Sequence, residues 1–400
     1  MNGFWAKDSV DCYWLVQSSV CYECIHVTNC QGLSFSRFCE NCTDGQYLVD
    51  CTNVAKSCLC IGLRNKDHHF LNVARTHEEY AELISKLQKD SLFRKQCLTD
   101  FQVLLQNIPH KANRNTGITA CMGDNMLDSS HVYDSYDVFR SENSKYLYQA
   151  GRLQDSMDTT ITGGNEEHAR IYETLSTPGS DSIMGAVTTW DSHDIFYTLQ
   201  CYNCDHIFGC IGLRNKSYCI FNQQYTKEEY EILVPKIIEY MMKTEEWGEF
   251  FPVSFSPFGY NETIAQEYFP LSKEKALKKG FSWSDYEAPF SKVEKIISAS
   301  KLPESISEIP DDILNWAIEC EVSGKPFRIV AQELAFYRKH HLPIPRRHPD
   351  QRHLDRMAQR NPRKLFERKC DRCKTMMLTT YAPERLERVY CEECYGKEVI

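Results

Sequence analysis

Residues 60–66 read CIGLRNK, and residues 210–216 read CIGLRNK again. The match continues on both sides at a constant offset of 150. Cys51 and Asn53 correspond to Cys201 and Asn203, Asn72 to Asn222, and Glu78-Glu79-Tyr80 to Glu228-Glu229-Tyr230. Seven identical residues with matching flanks mark an internal duplication, and a repeat sets the frame for reading the rest of a chain. Each copy has one outline: strand-like sequence bearing cysteines, then CIGLRNK, then a polar turn, then a helix opening near Glu-Glu-Tyr.

Residues 8–73 have no sustained helical period. They hold short pieces such as Tyr13-Trp14-Leu15-Val16, Cys24-Ile25-His26-Val27 and Gln46-Tyr47-Leu48-Val49, punctuated by Cys, Ser, Asn and Thr. Cys21 and Cys24 are followed at a spacing of 18 by Cys39 and Cys42. A period near 20, built from short strands and polar turns, predicts a parallel β-helix. Cysteine is small and apolar enough for an inward ladder, and Asn and Ser can bond to backbone at the corners. The same four cysteines could instead hold zinc. Further cysteines at Cys12, Cys30, Cys51, Cys58 and Cys60 favour the ladder.

Residues 118–224 return to this texture, with 151–166, including Gly163-Gly164-Asn165, as a loop or wide corner. Between the two stretches, residues 76–110 read as a helical hairpin. Thr76 caps it, Tyr80, Leu83, Ile84 and Leu87 form an apolar stripe, and Pro109 closes it. The expected fold is mostly β with helical additions: a right-handed parallel β-helix-like solenoid with helical excursions, plus a C-terminal zinc ribbon. The solenoid would occupy residues 1–224, interrupted at 76–110, with both stretches stacked as turns of one coil. Leu63 and Leu213 would point inward, and Asn65 and Asn215 would sit in turns.

Residues 225–337 read as a helical, aromatic-rich region. It holds a helix over 227–243, short helices at 272–279 and 291–299, and a helix from Asp311 to Cys320. Trp247, Phe250, Phe251, Phe255, Phe258 and Tyr260 lie close together. Such density predicts core, with a ligand surface as the alternative.

The C-terminal residues carry different chemistry. Cys370-x-x-Cys373 and Cys391-x-x-Cys394 are separated by 17 residues. That spacing predicts a zinc ribbon over 370–400, with one Zn²⁺ held by four thiolates and no open position for a substrate. A basic linker, residues 338–369, leads into it. The chain is net -9, yet residues 338–374 carry 13 Lys and Arg against 4 Asp and Glu. Arg346, Arg347, Arg352, Arg356, Arg360, Arg363, Lys364, Arg368 and Lys369 recur at short intervals, and a helix over 350–360 would align three of them. One reading is binding of RNA or DNA through phosphates, with Tyr381 and Tyr390 stacking on bases. The other is a strap clamped to the acidic body of the same chain.

The phrases CIGLRNKSYCIFNQQYTKEEYE, GKPFRI, ELAFYRKHHLPIPRRHPDQRH, RNPRKLFERKCDRC, TTYAPER and VYCEECY resemble those of uncharacterised zinc-ribbon proteins of candidate-phylum bacteria, some mislabelled as CoA-transferases. The resemblance covers most of residues 200–400 and implies no function. In similar proteins the stretch from Cys320 looks like a second zinc site built from two Cys-x-x-Cys pairs. Here Ser323, His348 and Gln351 stand at the other ligand positions, which implies a region that keeps its fold by packing alone.

Twenty cysteines without an export signal are not read as a disulfide framework. The N-terminus, MNGFWAKDSVDCYW, lacks the basic and apolar regions of a signal peptide. No apolar run is long enough to span a bilayer. A cytoplasmic protein without a membrane partner is expected. Asp134 and Asp137, Asp155 and Asp158, and Asp191 and Asp194 are pairs three apart that could serve glycoside chemistry if they converged. There is no phosphate-binding glycine loop, nucleophile elbow or H-E-x-x-H. The leading expectation is a zinc-binding, non-catalytic scaffold or adaptor that binds nucleic acid through its basic segment. A carbohydrate-active hydrolase or lyase and a purely protein–protein scaffold are the alternatives.

Overall fold

The computed structural model of the chain describes residues 3–287, 289–290, 293 and 295–399. Its organising feature is a left-handed backbone residue at every third position over long stretches. Val20, Glu23, His26, Asn29, Gly32 and Phe35 all have φ between +49° and +68°. Each turns the chain, and the residue after each turn faces inward: Cys21, Cys24, Val27, Cys30, Leu33 and Ser36 are all buried. Four such turns return the chain over itself. Strands therefore pair in parallel at an offset of twelve, as in Leu15↔Val27, Val27↔Cys39 and Leu48↔Cys60. This corrects the expected period near 20. A cysteine spacing of 18 is one and a half circuits, so Cys21 and Cys39 lie on opposite sides.

A twelve-residue circuit has a narrow interior, which explains its composition. Inward side chains must be small, and they must meet the backbone groups exposed at the bends. Ser18 Oγ donates to the Val16 carbonyl (2.8 Å) and accepts from the Cys30 amide (3.1 Å) one circuit on. Cys30 Sγ repeats the arrangement with the Thr28 carbonyl and the Cys42 amide. The two residue types alternate in one structural role. The first cysteines form a ladder of free thiols.

The chain forms several sheets with helices between them. Ten strands from Gly3 to Ala74 form one sheet and twelve from Gly123 to Gln224 another. Among the described residues no strand of one pairs with the other, so the expected single continuous stack is corrected to two. The reason lies at the end of the first. Helices α1 (His77–Lys89) and α2 (Ser91–Asn107) lay Leu87, Cys97, Phe101 and Leu105 over Leu59, Ile61 and Phe70. A covered end cannot template another strand. The second stack ends the same way, with Tyr230 and Val234 of α3 (Lys227–Lys243) on Phe208 and Ile220.

The duplicated unit is thus a last circuit plus its lid. Thr76 and Thr226 each open the lid helix with a capping box to Glu79 and Glu229. Asn72 seals the circuit by pairing its side-chain amide with both backbone groups of Ile61 (2.8 Å each), as Asn222 does with Ile211. Leu63 and Leu213 pack inward. Asn65 and Asn215 occupy left-handed bends, Asn65 within the strand Arg64–Asp67. Residues 151–166 are mostly strand, broken only by bends at 155–156 and 161–162, where a loop or wide corner was expected. The wide corner is real, however: the offset grows to 15 at Leu153↔His168 and Met157↔Tyr172.

Beyond α3, Trp247 packs on the lid and Phe251 meets Tyr197. Phe250, Phe255 and Phe258 then run out of layer to cover and are 38%, 71% and 59% exposed, which corrects their placement in the core. Residues 311–320 are one 3₁₀ turn and the strand Trp316–Glu319, where a helix was expected. Of the expected helix 291–299, Lys295–Ser298 is a strand, and residues 291, 292 and 294 lie outside the described residues. Residues 299–344 form a separate core, built on Ile313, Ile318, Phe327 and Tyr337, that docks on Tyr22 and Phe35 of the first stack.

Candidate metal centre and its setting

The strands Phe366–Lys369 and Met376–Thr379 form an antiparallel hairpin around Cys370. The turn is tight: Lys374 N–H donates to the Cys370 carbonyl and Cys370 N–H to the Thr375 carbonyl, both at 2.9 Å. Lys374 takes the left-handed conformation this requires. Cys391 N–H donates to Cys370 Sγ at 3.3 Å, and the helix Glu392–Val399 places Cys394 one turn further. The sulfurs of Cys370, Cys373, Cys391 and Cys394 lie within 4.8 Å of one another. Cys373 and Cys391 are 3.7 Å apart, close to the roughly 3.8 Å expected for thiolates about 2.3 Å from a tetrahedral ion. A hydrogen bond from Thr375 pulls the Cys373 thiol down to about 6, toward the thiolate a metal needs. The four cysteines are a candidate site for one zinc ion. With protein sulfur in all four positions, such an ion is structural.

The ribbon touches both stacks. Val389–Tyr390 pairs in parallel with His110–Lys111, ahead of the second stack, and Thr380 donates to Asp124 (3.1 Å) in that stack's first strand. Tyr395 donates to Asp50 of the first stack (2.7 Å), which also holds Arg64 (3.1 Å). Arg64 belongs to the first CIGLRNK.

A second knuckle has the same backbone. Cys320 N–H donates to the Lys325 carbonyl (3.1 Å) and Gly324 N–H to the Cys320 carbonyl (3.0 Å), matching residues 370–375 at an offset of 50. The helix Pro349–Ala358 follows His348 as Glu392–Val399 follows Cys391. Burial raises the Cys320 pKa, but a hydrogen bond from the Ser323 side chain, with backbone N–H groups of Ser323, His348 and Val322, more than offsets that and brings it to about 7. The sulfur is thus satisfied by the Ser323 side chain and by amides, in keeping with the implied packing-only fold. These residues are not among the described groups that converge for a metal.

The basic segment runs between the two knuckles and onto the stacks. Arg352 and Arg356, one turn apart on the helix Pro349–Ala358, are 6% and 5% exposed. Arg352 ion-pairs with Asp11, and Arg356 with Glu23 (2.8 Å) and Asp11 (3.7 Å). Asp11 and Glu23 are one circuit apart. A helical turn rises about 5.4 Å and parallel strands lie about 4.8 Å apart, so a helix laid along the stack matches arginines to carboxylates step by step. Arg346 caps the carbonyls of Ala299 and Leu302 (2.9 Å each), and Arg347 holds Glu321 and Asp355 (2.7 Å each). Arg360 lies between the rings of Tyr13 and Tyr268. Arg363 pairs with Asp137 of the second stack (2.9 Å), and Arg368 with Asp371 (3.2 Å). The row expected to meet phosphate therefore meets the chain's own carboxylates, carbonyls and rings. Lys364 and Lys369 remain exposed. Tyr381 and Tyr390, expected to stack on bases, are buried in the ribbon core.

The aspartate pairs sit on the bends of the second stack. Members three apart stand on successive bends, and Asp134 and Asp137 go to different cations, Lys145 (3.8 Å) and Arg363. Asp194 and Asp205 converge on His206 at 3.6 and 2.9 Å at a partly exposed corner. Cys21, Cys24, Cys39 and Cys42 are not among the described metal-sized groups. The sequence reading missed Arg37. It occupies a row whose other members are Tyr13, Ile25, Val49 and Ile61, and a period of twelve would have shown a cation among apolar residues. Among the described residues no helix is long and apolar enough to cross a membrane. Comparison with protein-family models and with curated proteins finds no match for the chain.

Proposed function

We propose that the chain is a zinc-binding, non-catalytic scaffold. Two parallel β-helical solenoids, each closed by one copy of the duplicated lid, are held side by side by the zinc ribbon and an arginine strap. The observation that carries this reading is the engagement of seven arginines, Arg346 to Arg368, inside the molecule. Charge spent on internal carboxylates is not free to draw an outside polyanion. The ribbon adds to it, because zinc enclosed by four thiolates fixes geometry and has no position for chemistry. Free thiols packed as ladders suit a reducing compartment such as the cytoplasm. The exposed rings of Phe250, Phe255 and Phe258 are the surface best suited to a protein partner.

A gel-shift titration of the zinc-loaded protein against single-stranded RNA and duplex DNA, at low and moderate salt, tests this. No retention is expected. Retention at low salt that disappears in Lys364→Glu/Lys369→Glu would overturn the internal-strap reading and establish a nucleic-acid adaptor.

A further inference from the structure

A cleft of about 410 Å³ lies where the first stack, the start of the second, the strap and the ribbon meet. Its size suits a small molecule, since ligand pockets span roughly 300–1,000 Å³. Its walls carry five cationic side chains, Arg37, Arg64, Lys111, Arg114 and Arg385, against three carboxylates. Asp124 and Glu392, just outside the lining, pair with two of these cations and level the count, so what matters is which cation is left unpaired.

The cations are not equivalent. Arg64 holds Asp50, Lys111 holds Glu392, Arg114 holds Asp124 and Arg385 holds Glu387. Arg37 alone among them has no carboxylate within ion-pair distance among the described residues; its guanidinium donates to the Gln359 side chain at 2.8 Å. Burial lowers its pKa, and nearby Arg114 and Arg385 push the same way against the smaller opposing pull of Tyr381 and Glu387. A partly buried cation without a counter-charge is costly, and an oxyanion placed against it relieves that cost. Beside Arg37 the wall is flat and aromatic. The Arg114 guanidinium lies 3.4 Å over the Phe38 ring, which stacks on His26 at 5.6 Å.

We propose that this cleft binds a small phosphate monoester, its phosphate taken by Arg37 with Arg114 and Arg385 beside it and its organic part along the aromatic side formed by Trp14, His26 and Phe38. Arg37 brings the unpaired charge, and Arg114 and Arg385, already paired with Asp124 and Glu387, add only their field, which favours a phosphate dianion over a carboxylate monoanion. The site is independent of the scaffold reading, which concerns how the parts are held together.

Isothermal titration of the zinc-loaded full chain at low salt, with phenyl phosphate, inorganic phosphate and benzoate, tests the proposal. Phenyl phosphate should bind, inorganic phosphate more weakly, and benzoate at least about tenfold more weakly than phenyl phosphate, the scale of one charge-assisted hydrogen bond. Arg37→Gln should weaken phenyl phosphate by about tenfold or more on the same scale, with zinc content unchanged. Thr28→Glu leaves every arginine in place, brings a carboxylate into the cleft wall and should weaken it too. Absence of phenyl phosphate binding, affinity unchanged in both variants, or benzoate binding as tightly as phenyl phosphate would each overturn the proposal.

Discussion

The two copies of CIGLRNK give a controlled comparison, because the same isoleucine sits in the same seven residues with different cover. Ile61 is 2% exposed, beneath Leu87, Phe101 and Leu105 of the first lid. Ile211 is 59% exposed, since the second lid is one helix with no counterpart of α2. Their backbones are matched, each isoleucine amide donating to the side-chain oxygen of its sealing asparagine. Truncation to alanine removes three carbon atoms. At about 0.8 kcal/mol per buried carbon the transfer loss at Ile61 is about 2.4 kcal/mol, and the cavity raises the total toward the range of about 2–5 kcal/mol seen for buried Ile→Ala. At Ile211 most of that surface is already in water, so the cost should stay below about 1 kcal/mol. Urea unfolding, with hydrogen exchange read separately over the two sheets, measures both. Ile61→Ala should lower protection of the first sheet and its hairpin, and Ile211→Ala should leave the second sheet near wild type. Equal costs at the two sites would refute the claim that lid packing, and not the heptapeptide, sets the energetics.

Arg356→Ala strands Glu23 and weakens the pairing of Asp11, both mostly buried, and should cost about 3–5 kcal/mol. Lys364→Ala, at an exposed side chain, should change stability by no more than about 0.5 kcal/mol; chemical denaturation of both decides whether the segment is a strap. His26 is held neutral, its pKa brought down to about 4 by burial and by Arg360, Arg114 and Arg363, against the opposing pull of Asp137. The unfolded chain binds that proton near its ordinary 6.5, so stability falls as pH drops from about 6.5 to about 4, by about 3 kcal/mol in all; a Tm-against-pH profile that His26→Phe does not flatten would contradict this. Metal analysis should give one zinc per chain, and chelation should release the strand at Val389–Tyr390 while leaving both stacks' amides protected. Ser323→Cys/His348→Cys/Gln351→Cys should raise zinc to two per chain, because the second knuckle already has the backbone of the first; a stoichiometry still at one would show that the likeness is superficial.

The sequence alone determined the local chemistry. The duplication, the strand-rich texture, the capping threonines, the inward cysteines and leucines, and the four zinc-type cysteines all follow from spacing and residue type. These depend on neighbours a few residues away, which a sequence displays. The circuit length was misread because it depends on backbone conformation. Left-handed φ at every third residue is carried here by Val20, Phe35, Tyr47 and Leu59 as well as by Asn and Gly, so no turn residue announces it.

Only the tertiary structure decided what the charges and the copies do. Arg64 and Arg214 are the same residue of the same heptapeptide. Arg64 joins Asp50 and, through it, Tyr395 of the ribbon, whereas Arg214 lies exposed over Tyr202. The partner that separates them, the ribbon, is more than 300 residues away in the chain. The basic segment is the same case: its arginines answer to Asp11, Glu23 and Asp137, and nothing local to residues 338–374 names those partners. Charge acts over distance and packing over contact, and both are settled by which surfaces the fold brings together.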